Sequence, residues 1–82
     1  MKSVEIDQEF KDLTLAIGEK IKELRKQKNI GYIQISKEIG ISRNCYNSLE
    51  LGKQPNFQFL TLLRILKYHN ISFFQFVESL KR

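Results

Sequence analysis

Four side chains that can hydrogen-bond to the edges of a planar polar partner crowd into one short stretch: Arg43, Asn44, Asn47 and Ser48. An arginine fork pairs bidentately with O6 and N7 of guanine, and an asparagine amide does the same with N6 and N7 of adenine. Each such pair is worth about 1–3 kcal/mol of discrimination between bases. On a helix these four positions fall away from the core-facing side, and a helix fits the major groove of double-stranded B-DNA, where every base pair shows a distinct donor and acceptor pattern. The plainer alternative is a solvated polar face with no partner.

Such a probe needs a helix that starts in the right place and a scaffold that holds it. Ser42 can N-cap a helix running from Arg43 to about Glu50, its hydroxyl accepting a free amide of the first turn. Ahead of it, Ile35 and Ile39 are four apart, with Lys37 and Glu38 directed outward, which predicts a helix of about two turns from Tyr32 to Ile39. Gly40 ends that helix and can adopt the left-handed conformation of a tight interhelical turn.

The remaining chain is also helical by period. Ile6, Phe10, Leu13, Ile17, Ile21 and Leu24 mark one apolar stripe on a first helix from about Asp7 to Lys28, with Gly18 as its weak point and Asn29-Ile30-Gly31 as its stop. Leu51 to Asn56 is the strong interior loop signal, through Gly52 and Pro55. Phe57, Leu60, Leu63 and Leu66 predict a fourth helix. After a break at Asn70-Ile71-Ser72, Phe73, Phe76, Val77 and Leu80 predict a fifth, capped by Ser72. The fold class is all-α, with five helices.

Composition sets the outer limits. With 82 residues the chain supports one core, and 41% hydrophobic with 28% charged residues is the balance of a globular protein. One cysteine makes no internal disulfide, and no Cys/His cluster has zinc-ligand spacing, so neither metal nor cofactor is expected. No paired acid and base with a nucleophile stands out, which argues against an enzyme. Neither a signal peptide nor a membrane-spanning run is visible, so the expectation is a cytoplasmic protein without membrane partners. The net charge is +5, and Glu5, Asp7, Glu9 and Asp12 all precede Leu13. From residue 13 onward twelve basic residues face five acidic ones, a net of +7. Such a body suits a polyanion through counterion release, or simply solvates helix faces.

Three segments in order carry a resemblance: Gly18-Glu-Lys-Ile-Lys-Glu-Leu-Arg25, Gly40-Ile-Ser-Arg-Asn44 and Leu49-Glu-Leu-Gly-Lys53. In order and spacing the sequence resembles the Cro/cI (XRE-like) helix-turn-helix family of phage-repressor type, from about Leu15 to Val77. The resemblance implies a five-helix, lambda-repressor-like fold, with residues 1–14 as an N-terminal extension and 15–82 as the DNA-binding domain ending in a dimerisation helix. The extension either lengthens helix one or packs against helix five. Family positions matching Arg43, Asn44 and Ser48 read bases; Asn47 joins them from helix geometry. Arg25 and Glu50 match a buried ion pair that ties helix one to the end of helix three, so Glu50→Ala is expected to unfold or loosen the domain.

Phosphate contacts are expected from Ser42, from Lys53, Gln54 and Asn56 at the loop, and from the start of helix two. There the family's usual Gln is replaced by Tyr32, whose hydroxyl either reaches a phosphate or leaves the ring to pack. Cys45 and His69 read as packing residues, His69 partly buried and neutral, and Tyr46 and Tyr68 as core or rim aromatics. Phe73, Phe74 and Phe76 exceed what one helical face can bury, which leaves Phe74 for a dimer interface. The expectation is a stand-alone transcriptional repressor or controller, binding a pseudo-palindromic operator as a homodimer. With no chain left for a ligand domain, no small-molecule effector is expected. The alternative is a protein-interaction module or an antitoxin with the same fold.

Overall fold

The computed structural model describes residues 8–53 and 57–80. These form α1 (Gln8–Gln27), α2 (Tyr32–Ile39), α3 (Arg43–Glu50), α4 (Phe59–Tyr68) and α5 (Phe73–Ser79), with no strand among the described residues. Helices α1 and α2 both pack on α3, α2 also meets α4, and α4 meets α5. Gln54, Asn56, Ile6 and Asp7 lie outside the described residues.

Each helix ends where the chain chemistry allows it to. Asn29 and Asn70 take positive φ, 55° and 57°, after α1 and α4, a conformation asparagine tolerates better than most residues. Gly40, at φ 88°, terminates α2, and the Gly40 and Ile41 amides both donate to the Ser36 carbonyl. Helix α5 begins with a complete capping box: Ser72 Oγ accepts from the Gln75 amide at 3.1 Å while Gln75 Oε1 accepts from the Ser72 amide at 2.9 Å.

The core is built from Ile21, Ile35, Ile39, Tyr46, Leu49, Leu62, Ile65, Leu66 and Phe76. Three of the expected stripes are displaced. On α1, Phe10 and Leu13 are exposed, and the buried positions are Thr14, Gly18 and Ile21, the row centred on the glycine that faces the end of α3. On α4 the buried row is Leu62, Ile65 and Leu66; Leu60 is 64% exposed, and Phe57 precedes the helix. On α5, Phe76 is buried whereas Val77 is exposed.

Gly18 is the largest departure from expectation. It is not a weak point but the place where α1 crosses the end of α3. A Cβ there would lie 2.4 Å from the Leu49 carbonyl oxygen and 2.6 Å from that of Glu50. Only a hydrogen atom fits between these backbones, so the helix propensity lost at glycine is exchanged for close approach.

Candidate nucleic-acid interface

Helix α3 is amphipathic in the sense the proposed chemistry requires. Tyr46, Leu49 and Glu50 are buried on one side, while Ser42, Arg43 and Asn44 are exposed on the other, with Cys45, Asn47 and Ser48 half-buried between. Ser42 Oγ accepts from the Cys45 amide at 3.1 Å, which fixes the first turn and leaves Arg43 and Asn44 pointing outward. Arg43 and Asn47 stand one turn of helix apart, as do Asn44 and Ser48, so the four adjoin on one side of α3.

Two independent ties hold the far end of α3. Arg25 Nε lies 2.6 Å from Glu50 Oε2 and Arg25 Nη2 lies 3.1 Å from Glu50 Oε1, a bidentate pair, and Arg25 Nη1 also donates to the Ile30 carbonyl at 2.9 Å. Glu50 is 7% exposed, so this charge is paired within the fold rather than offered to a ligand. The hydrogen bond to Glu50 raises the Arg25 pKa further above its already high value. The Tyr46 phenol is also pushed up, first by burial and then by Glu50, and it stays neutral. The second tie is the contact at Gly18.

The remaining candidates are spread around this helix. Tyr32 is 37% exposed in the first turn of α2, where Gly31 occupies the N-cap position without a side-chain hydrogen bond. Ile33 beside it is exposed as well, giving this helix end an apolar edge. Lys53 is exposed just after α3, its amide bonded to the Ser48 carbonyl at 3.0 Å, and Gly52 supplies the turn at φ 70°. Phe74 lies on α5, a helix that carries none of these. It is 83% exposed on α5, at the end of an edge-to-face series in which Phe59 and Phe73 are 5.1 Å apart and Phe73 and Phe74 6.2 Å apart.

Sequence reasoning missed two polar ties. Tyr68 Oη donates to Glu38 Oε1 at 2.5 Å, Gln34 Nε2 donates to Glu38 Oε2 at 2.6 Å, and Lys28 Nζ lies 5.2 Å from the centre of the Tyr68 ring. These bonds hold the Glu38 carboxyl below the ordinary carboxylate range, Tyr68 contributing most. The other tie joins Arg64 to the carbonyl of Ile39, 25 residues earlier. No periodicity marks such pairs; Arg64 reads in sequence only as a charge interrupting an apolar run.

Comparison with known proteins places this arrangement. No curated protein and no solved structure matches the chain. The sequence profile described as a helix-turn-helix domain matches residues 18–73. That span takes in α2, the turn, α3 and α4, together with the part of α1 that crosses α3. The chain therefore belongs to the helix-turn-helix family of Cro/cI type.

Proposed function

We propose that this helix-turn-helix protein is a sequence-specific transcriptional regulator that reads an operator through the exposed face of α3. The observation that carries the reading is the capped N-terminus of α3, with Arg43 and Asn44 exposed on it while Tyr46, Leu49 and Glu50 anchor the opposite face. Arg43, Asn44 and Ser48 read base edges in the major groove and Asn47 supports them. Ser42, Tyr32, Lys53 and the loop residues Gln54 and Asn56 contact phosphates, which fix register without reading sequence. Arg25 and Glu50 keep α3 in place. No helix among the described residues is long and apolar enough to cross a membrane.

The protein acts as a homodimer in this reading, with the exposed Phe59 and Phe74 at the interface. A twofold axis then sets two copies of α3 about 34 Å apart on a pseudo-palindromic site. A second reading, a protein-interaction module, draws on the apolar edge made by Tyr32 and Ile33 at the start of α2, where a phosphate clamp is expected.

Gel shift or fluorescence anisotropy with DNA from upstream of the protein's own gene, at two salt concentrations, separates the two readings. Binding that weakens steeply with salt supports the first, and no binding even at low salt overturns it. Arg43→Ala is expected to reduce operator affinity by about 1–3 kcal/mol while sparing nonspecific binding; Lys53→Ala weakens both alike and lowers the salt slope by about one. Equal losses on operator and random DNA from Arg43→Ala would contradict base reading.

A further inference from the structure

Helix α3 is secured at its C-terminal end by Arg25, Glu50 and Gly18, yet Arg43 and Asn44, the two fully exposed side chains of the set offered to DNA, lie in the first turn, at its N-terminal end. That end is attached through a turn of two residues, Gly40 and Ile41, before the Ser42 cap. Its orientation therefore depends on what holds the turn.

The carbonyls at the end of α2 are the orphan acceptors of that helix, and they carry the negative end of its dipole. Ser36 receives the Gly40 and Ile41 amides at 2.9 and 3.0 Å. The Ile39 carbonyl receives Arg64 Nη2 from α4 at 2.6 Å, a short, charge-assisted bond. The guanidinium occupies the space beside Gly40 as well: a Cβ at position 40 would stand 2.8 Å from Arg64 Nη2. Glycine is thus required here for two reasons, its positive φ and the arginine against it.

We propose that Arg64 is a positioning residue, a clamp that fixes the turn between α2 and α3 and thereby the angle at which Arg43 and Asn44 are presented. Arg25 and Arg64 then form a pair of guanidinium clamps, one at each end of α3. Arg64 acts through the Ile39 carbonyl and not by touching bases. Its consequence for DNA rests on the operator-reading function proposed above; the clamp itself does not.

Amide hydrogen exchange on the free protein tests the clamp without DNA. In Arg64→Gln, exchange at Gly40 and Ile41 should quicken by about tenfold or more, the loss of one charge-assisted bond, relative to the core amide of Ile65. Arg64→Lys, which keeps a cationic donor, should restore most of the protection. Unchanged protection at Gly40 and Ile41, or a uniform rise in exchange at all core amides, overturns the proposal. The second measurement is the ratio of operator to random-DNA affinity, well below the melting temperature of each variant. The ratio should fall in Arg64→Gln, recover in Arg64→Lys, and fall little further when Arg64→Gln is added to Arg43→Ala. A variant that melts lower but keeps the wild-type ratio also overturns it. A wild-type protein without sequence preference sinks the operator reading, while the exchange data still decide the clamp.

Discussion

Gly31 and His69 are two single positions whose local chemistry is not fully satisfied. Gly31 caps α2 with φ −79° and ψ 158°, ordinary for any residue, it gives the helix no side-chain acceptor, and a Cβ there meets nothing within 4 Å. Gly31→Ser should therefore raise stability by about 0.5–1 kcal/mol, from a new cap bond and a less flexible unfolded chain, visible as a higher denaturant midpoint. His69, the chain's one histidine, is partly buried with Nε2 lacking a partner. Burial first, and Lys28 second, lower its pKa below 6.5; Tyr68 packs edge-on against it at 5.3 Å. A lowered pKa means that the unfolded chain binds the proton more readily. Stability from neutral His69 is then complete above about pH 6.5 and declines as pH falls toward the folded-state value. Urea midpoints taken between about pH 7.5 and 5.5 should drop for the wild type and flatten for His69→Gln; parallel curves would show that the histidine does not carry the dependence.

Helices α1 and α3 cross where no side chain fits, and this contact governs how α3 is seated. In an open helix interior, Gly→Ala stabilises by about 1 kcal/mol. At Gly18 the sign should reverse, with a loss of about 3 kcal/mol from backbone overlap with the Leu49 and Glu50 carbonyls, measured by thermal or chemical unfolding. A stabilised Gly18→Ala would mean that the two helices do not approach so closely. The five elements were legible from sequence because their punctuation is local: Gly40 after α2, Ser42 before α3, and Ser72 before α5 act on the residues next to them. The buried faces of α1 and α4 were less so. On α4 apolar residues surround most of the helix, so period alone does not decide between Leu60 and Leu62; on α1 the apolar stripe points to Leu13, and the face that packs turns Thr14 inward instead.

The whole molecule is elongated, with extents of 45 × 27 × 18 Å. Apolar side chains remain open on α1, at Phe10, Leu13 and Leu15, and on α4 and α5, at Phe59, Leu60 and Phe74. In the proposed dimer the second group is covered. Sedimentation should then report a dimer for the wild type and a monomer for Phe74→Glu, with operator affinity falling as half-sites are lost. A wild type that sediments as a monomer at the concentrations where it binds DNA refutes the interface at Phe74.

Helix number, the turn at Gly40, the cap at Ser42 and the candidate polar face from Arg43 to Ser48 all follow from short-range rules, so the linear chain is enough to specify them. The ion pair between Arg25 and Glu50 was reachable only through family resemblance, because residues 25 apart carry no mutual signal. Arg64 on Ile39, Tyr68 on Glu38 and the bare crossing at Gly18 depend on where separate helices come to rest. Packing of α1 and α2 on α3, and of α4 on α2, settles those distances. The capped face of α3 is therefore written into its own residues, whereas its orientation is a property of its neighbours.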